Sequence, residues 1–327
     1  MRGFSIIELL VSIFITVLVL GIAYILYNSF FKHYKSSSSS LVSQIEDIIG
    51  YNIIRLDLEH VGYGIASNET VPIISWSSAS KELTLHSTLN VSNKQTEGYL
   101  IASCSSNQLT IDLDARASSS AKNVVVLRGN NKTCFVPLGT VETSGGVNTI
   151  SGVSSCSINN RYIAFPLPDT FTNKCNVCQC LEITYKLSSS SVPNYCAPGS
   201  KKLLRKIGDG NGTPIINCVA DFKATFALDT DGDRKPDKLD SSLPSTNAEI
   251  RNQLKQINLY LLVQEGQKDT GFTYNQATTC SSDSGNCVIF TDKDPNGNDY
   301  PVELKLPSDF QHYRWRVIKI SAKPMDL

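Results

Sequence analysis

The sequence predicts an α+β protein in which one long N-terminal helix carries a disulfide-containing head built on an antiparallel β-sheet. Three observations predict this class. Residues 9–31 form an uncharged and mostly apolar run. Beyond residue 64 the composition changes to Ser, Thr, Asn and Gly between short apolar stretches, which is typical of strands and turns. All ten cysteines follow the apolar run.

The apolar run predicts a membrane span. A helix through residues 9–31, at about 1.5 Å per residue, exceeds the roughly 30 Å of a hydrocarbon layer. It is too long for the core of a secretory signal peptide, which has about 7–15 residues. Cysteine-rich chains are typical of oxidising compartments, so we expect the region behind the span to lie outside the inner membrane.

Glu8 lies at the edge of the span. An acid inside a membrane helix costs roughly 2.5–3.5 kcal/mol on insertion scales, so it needs either a partner or access to the headgroups. Both alternatives stay open, because a side chain so near the terminus can snorkel to the membrane surface.

The helix is predicted to continue to about residue 60, although Ser36–Ser40 alone would suggest a flexible linker. Apolar residues recur at three- and four-residue spacing and predict one packed face: Leu41, Ile45, Ile48, Ile49, Ile53 and Leu56, with Asn52 among them. The first half would lie in the membrane or in a fibre, and the second half would pack on a sheet.

Short runs of alternating or β-branched residues predict strands in the head. The candidates are Glu82–His86, Gln108–Leu113, Asn123–Leu127, Arg161–Phe165, Leu181–Leu187, Asp221–Leu228, Gln256–Val263, Val288–Thr291 and Arg314–Ser321. In two of them, Asp221–Leu228 and Gln256–Val263, the alternation predicts that one face of the strand is buried.

The N-terminus resembles the processing motif of type IV pilins in the segment Gly3-Phe4-Ser5-Ile6-Ile7-Glu8-Leu9-Leu10-Val11. The resemblance implies a leader of residues 1–3, cleavage between Gly3 and Phe4 by a prepilin peptidase, and N-methylation of Phe4. It also implies that Glu8 pairs with the new amine of a neighbouring subunit, which would offset the desolvation of both charges.

Later segments are similar to PilW-type minor pilins: residues 55–64, 219–222 with 229–233, 257–263 and 313–317. The resemblance covers about residues 1–65 and 216–321. It implies four regions: the leader 1–3, a pilin helix 4–60, a variable β-rich head region 61–215, and a C-terminal β-sheet region 216–327.

As a member of that family the chain would be a minor pilin that supports pilus assembly, priming or tip display, in motility, adhesion or DNA uptake. Its partners would be other major and minor pilins, the prepilin peptidase, the inner membrane before assembly, and a surface or tip-adhesin contact. It would sit in the inner membrane with a periplasmic head and then in the extracellular pilus. The alternatives are a J-class pseudopilin of type II secretion and a bitopic periplasmic binding module.

Four carboxylates, Asp229, Asp231, Asp233 and Asp237, lie at positions 1, 3, 5 and 9 of one short loop. Oxygen ligands at this spacing suit Ca²⁺, which would also relieve their mutual repulsion. Arg234 stands where an EF-hand has Gly, so the turn must be made differently. The alternative is a solvated loop of Asx-turns.

A second segment fits the formal EF-hand pattern through Asp292, Asp294, Asn296 and Glu303. The residues before it suggest a strand, and Asp, Asn, Pro and Gly are ordinary turn residues. A plain hairpin is therefore favoured here over a second calcium site.

The cysteine pattern offers two interpretations. Cys175, Cys178 and Cys180 could bind zinc as thiolates, but five disulfides suit an exported chain better. Cys280 with Cys287 is the one local pairing that we predict.

Composition and motifs exclude other classes. With 30 basic and 30 acidic residues the chain lacks the basic excess of a DNA-binding domain, so specific DNA contact is not expected. Four scattered histidines, with no Gly-x-Ser-x-Gly or phosphate-binding loop, predict that the chain is not an enzyme.

Overall fold

The N-terminus forms one long helix. The computed structural model of the chain describes residues 6–111, 122–144, 147–281, 284–325 and 327, without the side chains of residues 8, 29 and 31–47. Helix α1, Ile6–Glu59, has 54 residues and includes the serine run. The α+β class, the single apolar N-terminal helix and the antiparallel sheets are therefore as predicted.

The head consists mainly of strands, all paired antiparallel. The strands are β1 Ile74–Ser77, β2 Glu82–Ser87, β3 Leu100–Ser105, β4 Gln108–Ile111, β5 Asn123–Arg128, β6 Cys134–Ser144, β7 Val147–Ile150, β8 Tyr162–Leu167, β9 Leu181–Ser188, β10 Lys201–Ile207, β11 Thr213–Leu228, β12 Lys238–Asp240, β13 Leu254–Glu265, β14 Thr278–Thr279, β15 Asn286–Lys293, β16 Asp299–Lys305 and β17 Arg314–Ala322. A 3₁₀ helix covers Lys94–Thr96, and a short helix α2 covers Asn247–Gln253.

The largest sheet has the order β1-β2-β9-β10-β11-β13-β17, with β12 added beside β11. Strand β13, next to the edge strand β17, is covered on both sides. Leu259 and Leu261 belong to the core shared with α1, whereas Tyr260 and Leu262 belong to the core shared with β15 and β16. The sequence predicted that one face of β13 is buried. Both faces are buried, because the second sheet, β14-β15-β16, covers the face that does not meet α1.

A closed six-stranded barrel is inserted before β9, in the order β3-β4-β7-β6-β5-β8. Its interior holds small and branched apolar side chains with Tyr162, all nearly inaccessible. A separate cluster that includes Val125, Leu167 and Leu181 joins the outside of the barrel to the start of β9. The barrel therefore occupies much of the region that the family resemblance does not cover.

Each predicted strand overlaps an observed one, apart from residues 112 and 113, which lie outside the described residues. Eight strands were not predicted: β1, β3, β6, β7, β10, β12, β14 and β16. The predicted boundary at residues 215 and 216 falls inside β11. The large sheet draws strands from both sides of that boundary, so the two predicted head regions share one sheet.

Candidate functional site

The N-terminal half of α1 exposes its apolar side chains. Residues Leu9–Asn28 form a segment with mean hydropathy 2.8 and no buried residue, long and apolar enough to cross a membrane. The large apolar side chains described between Ile6 and Phe30 are all more than half exposed. An exposed apolar surface of this size is typical of a segment that contacts lipid or another protein, and its length is compatible with a single membrane span.

Polar side chains in this segment bond to the backbone of their own helix. The Ser12 hydroxyl donates to the Leu9 carbonyl at 2.8 Å, and Thr16 donates to the Ser12 carbonyl at 2.7 Å. Asn28 Nδ2 donates to the Tyr24 carbonyl at 3.1 Å. These donors need no water, which is the condition for residence in a hydrocarbon layer.

The predicted processing residues fall at the edge of what the structure describes. Gly3 and Phe4 lie outside the described residues. Glu8 lies on α1, within its first turn, but its side chain is outside the described part of the chain. Their predicted roles stay predictions.

The C-terminal end of α1 packs on the large sheet through Gly50, Ile54 and Leu58. This corrects the predicted face of the helix, because Ile48 and Ile49 are more than half exposed and Leu56 is 42% exposed. The buried face of α1 is the one on which the backbone of β11 comes close to the helix at Gly50. A Cβ atom at Gly50 would lie 2.6 Å from the Ile215 carbonyl oxygen, so only glycine lets β11 come so near.

A buried ion pair joins the same end of α1 to β10. Arg205 Nε donates to Asp57 Oδ2 at 2.6 Å, and its terminal nitrogen donates to Oδ1 at 2.9 Å. Tyr185 on β9 also donates to Asp57. Burial and the nearby Asp57 carboxylate raise the pKa of Tyr185 well above its usual value, so the hydroxyl keeps its proton.

Sequence reasoning missed this pair. Asp57 lies three residues after Ile54 and next to Leu58, so an acid within the packed stripe was the available signal. Nothing in the sequence indicated Arg205, which is 148 residues away.

Glu69, just beyond α1, is a second buried acid that sequence reasoning missed. Its carboxylate accepts hydrogen bonds from the backbone N–H groups of Thr70 at 2.9 Å, Asn176 at 3.0 Å and Val177 at 2.9 Å. Desolvation opposes ionisation, but these donors hold the pKa of Glu69 below its usual value. The bonds tie the exit from the helix to the cysteine-rich loop.

The Asp-rich loop follows β11 and brings three of its four predicted acids together. Asp229, Asp231 and Asp237 each place a carboxylate oxygen within 4.8 Å of the others. Asp233 is not in this group; its carboxylate accepts from the Lys235 N–H at 2.7 Å. Arg234, at the glycine position of an EF-hand, takes a φ of 71°, so the loop makes the left-handed turn without glycine.

The buried member of this group, Asp229, already has donors. Gly232 N–H lies 2.7 Å from Oδ1, while Arg234 N–H at 2.8 Å and Lys255 Nζ at 3.3 Å face Oδ2. Burial opposes ionisation, and the Gly232, Lys255 and Arg234 donors outweigh it and lower the pKa of Asp229. The carboxylate is thus charged at neutral pH, as a calcium ligand must be, with Lys255 as the competing cation.

The second predicted calcium loop is a hairpin between β15 and β16. Asp292 is engaged by Lys319 and Tyr260, and Asp294 by the Asn298 backbone and side chain. Glu303 lies opposite Ile289, which is three residues before Asp292 on β15, so Glu303 is away from the turn. Its carboxylate accepts a hydrogen bond from the Ser281 N–H. Asn296 donates to the Asp237 carbonyl at 2.9 Å. The side chains do not converge, so the favoured hairpin describes this segment.

All ten cysteines are paired, so the zinc alternative lacks free thiolates. The disulfides are Cys104–Cys156, Cys134–Cys178, Cys175–Cys180, Cys196–Cys218 and Cys280–Cys287. The last is the pair expected from its spacing.

No family model, curated protein or solved structure matches this chain. Its chemistry must be inferred from the molecule itself. The exposed apolar helix can insert in lipid or pack with like helices, its far end is fastened to the head, and the loop after β11 presents three converging carboxylates.

Proposed function

We propose that the chain is a minor subunit of a type IV pilus, held by α1 in the inner membrane with its head in the periplasm and later assembled into the extracellular fibre. The observation that carries the proposal is α1 itself. One continuous helix has an apolar segment, Leu9–Asn28, with no buried residue, and a far end that is buried in the head. This arrangement suits a subunit that exchanges lipid for neighbouring helices while its head stays folded.

The second half of α1 supports lateral packing as well. Ile48, Ile49 and Leu56 remain exposed on the helix where it passes along the head. Neighbouring subunits of a fibre would cover these side chains and remove their apolar surface from water.

In this mechanism a prepilin peptidase removes residues 1–3 and exposes the amine of Phe4. The Glu8 carboxylate then pairs with the Phe4 amine of a neighbouring major or minor pilin, which sets the axial register between subunits. A J-class secretion pseudopilin would share these steps and differ only in the apparatus that it joins.

Mass spectrometry of the purified chain tests the processing step. The expected N-terminus lacks three residues and begins at Phe4 with one added methyl group. An intact Met1 would contradict the proposal and favour a bitopic periplasmic binding module.

Incorporation into fibres tests the role of Glu8. Glu8→Ala should lower the amount of subunit in sheared pili by at least about tenfold, because the Phe4 ammonium would be buried without a partner. Ser12→Ala is the matched control, since that hydroxyl bonds only to its own helix and should leave incorporation unchanged. Processed subunit that is found only with a secretion apparatus would identify a pseudopilin.

We further propose that the loop after β11 binds Ca²⁺ through Asp229, Asp231 and Asp237, which stiffens the head. Calcium should raise the melting temperature of the full chain in detergent by at least about 2 °C over a chelator-treated sample. Asp231→Asn should abolish this shift, and Asp294→Asn in the second loop should preserve it. An equal melting temperature with calcium and with chelator would refute the site.

A further inference from the structure

A cleft of about 700 Å³ opens between the large sheet and the small sheet β14-β15-β16. Four lysines line it: Lys81 from the turn between β1 and β2, Lys201 on β10, Lys223 on β11 and Lys305 on β16. In a chain with no net charge, this is a local concentration of positive charge.

Two carboxylates also line the cleft, and both have donors. Asp221 is buried and accepts from the N–H groups of Phe222 at 2.9 Å and Lys305 at 3.0 Å, while Lys81 Nζ lies 3.1 Å from it. Glu303 accepts from the Ser281 N–H at 2.5 Å and from its hydroxyl at 2.7 Å. Asp221 thus uses the charge of Lys81 and ties the hairpin turn to the two sheets.

Lys201 and Lys223 differ from Lys81. Both are half-buried, yet among the residues that the structure describes no hydrogen bond or ion pair engages either ammonium. A partly desolvated charge without a counter-ion is unfavourable, and an anion in the cleft would supply the missing partner.

The lining indicates the kind of anion. The cleft is far larger than one inorganic ion, and Ser78 and Ser308 add hydroxyl groups beside the lysines. No aromatic side chain of the described residues lines it, so it lacks the stacking surface that single-stranded nucleic acids use. Hydroxyl groups beside cations suit a ligand that is both anionic and rich in hydroxyl groups.

We propose that this cleft binds an acidic oligosaccharide, a sugar chain bearing carboxylate or sulfate groups, with Lys201 and Lys223 as its principal counter-ions. Binding of this kind is a property of the head and does not depend on cleavage after Gly3 or on fibre assembly.

Calorimetric titration of the full chain in non-ionic detergent tests the proposal. The probes are oligogalacturonate, which is carboxylated, a heparin-derived oligosaccharide, which is sulfated, and a neutral dextran oligomer. We expect at least one acidic probe to bind, more weakly as salt is raised, and dextran not to bind. Binding of oligogalacturonate shows that carboxylates are sufficient, whereas binding of the heparin oligosaccharide alone, which has both groups, indicates that sulfate is needed. Failure of both acidic probes, or equal binding of dextran, overturns the proposal.

Paired variants locate the site. Lys201→Gln with Lys223→Gln should weaken binding by at least about tenfold. Lys202→Gln with Lys206→Gln removes the same charge from β10 outside the cleft and should change affinity less than about twofold. Lys201→Arg with Lys223→Arg keeps the charge and should keep binding, which separates loss of charge from loss of fold.

Three further outcomes overturn the proposal. Equal weakening in the Lys202 and Lys206 pair would mean diffuse attraction to the whole head. Unchanged binding in the Lys201→Gln and Lys223→Gln pair would place the sugar elsewhere. Tighter binding of an oligothymidylate than of either acidic sugar would mean that the cleft selects nucleic acid.

Discussion

The two ends of α1 belong to one continuous helix and have opposite surroundings. At the N-terminal end Leu18 is 51% exposed in a segment with no buried residue, whereas Ile54 and Leu58 at the other end are fully buried. The head covers the apolar side chains at the C-terminal end and leaves those at the N-terminal end exposed.

The polar side chains of the two ends differ in the same way. Ser12 and Thr16 bond to their own helix, so the N-terminal end can move between environments without losing a hydrogen bond. Asp57 bonds to Arg205 and Tyr185 of the sheet, so the C-terminal end cannot leave the head without exposing a broken ion pair. The hydrogen bonds of these polar side chains therefore attach the C-terminal end of α1, and not Ser12 or Thr16, to the head.

The largest effect on stability is expected from removing the buried ion pair between α1 and β10. Asp57→Ala leaves the buried Arg205 guanidinium without a counter-ion and should lower the free energy of unfolding by about 3–5 kcal/mol. Urea denaturation followed by tryptophan fluorescence measures this, because both tryptophans, Trp76 and Trp315, lie in the head.

The control is a more exposed ion pair on the same helix, in which the Arg55 side chain is 61% and the Glu59 side chain 19% exposed. Glu59→Ala removes the Arg55–Glu59 ion pair and should cost less than about 0.5 kcal/mol. Replacing both Asp57 and Arg205 by Leu and Met should recover part of the stability lost in Asp57→Ala. Equal losses in Asp57→Ala and Glu59→Ala would show that the buried pair does not hold the helix.

The next largest effect is expected from placing a charge in the exposed apolar segment of α1. Leu18→Arg places a charge near the centre of Leu9–Asn28 and should cost about 2.5–3.5 kcal/mol of membrane insertion. The measurement is the fraction of chain that resists alkaline extraction from membranes. Ile49→Arg is the control, since Ile49 is comparably exposed but lies outside the span. Equal extraction of the two variants would contradict a membrane role for the apolar half.

Each end of α1 also contains a glycine, and the two glycines have different surroundings. Gly50→Ala brings a Cβ against the Ile215 carbonyl and should destabilise the head by about 1–3 kcal/mol in urea denaturation. Gly21 has open space around it, so Gly21→Ala should leave unfolding of the head unchanged. A loss in Gly21→Ala as large as in Gly50→Ala would mean that the whole helix, and not only its end, supports the head.

The smallest change in the free energy of unfolding is expected at Glu69, in the segment that follows α1. Glu69→Gln replaces one acceptor oxygen by a donor and should cost about 1–2 kcal/mol at neutral pH. Because the folded pKa of Glu69 is below its ordinary 4.5, the stability it contributes is present above that pH and is lost as pH falls through the folded pKa.

Unfolding measured between neutral and acidic pH tests this sign. The parent should lose its advantage over Glu69→Gln as pH falls below about 4.5. A constant difference between the two at every pH would show that the Glu69 charge does not matter to folding.

Local patterns in the sequence were sufficient for part of the fold. The uncharged run at 9–31 and the spacing behind it predicted α1, and alternation predicted the second half of β11 and most of β13. The packed face of α1 could not be predicted, because Ile48, Ile49 and Ile54 are equally apolar and only the close approach at Gly50 decides which are buried.

One candidate site could be predicted from the sequence and the other could not. The loop acids Asp229, Asp231 and Asp237 are close in sequence, so their spacing revealed them. Lys201 and Lys223 are ordinary surface-type residues in the sequence, and only the meeting of β10 with β11 and the small sheet brings them to one cleft.

The sequence alone determined the elements whose physics is local: an uncharged run long enough for a membrane, an acid-rich loop, and cysteines enough for five disulfides. The tertiary structure decided what depends on distant residues: the closed barrel, the second covered face of β13, the Asp57–Arg205 pair and the lysine cleft. A periodic pattern shows that a surface is apolar or charged, but only the folded chain fixes which surface it meets.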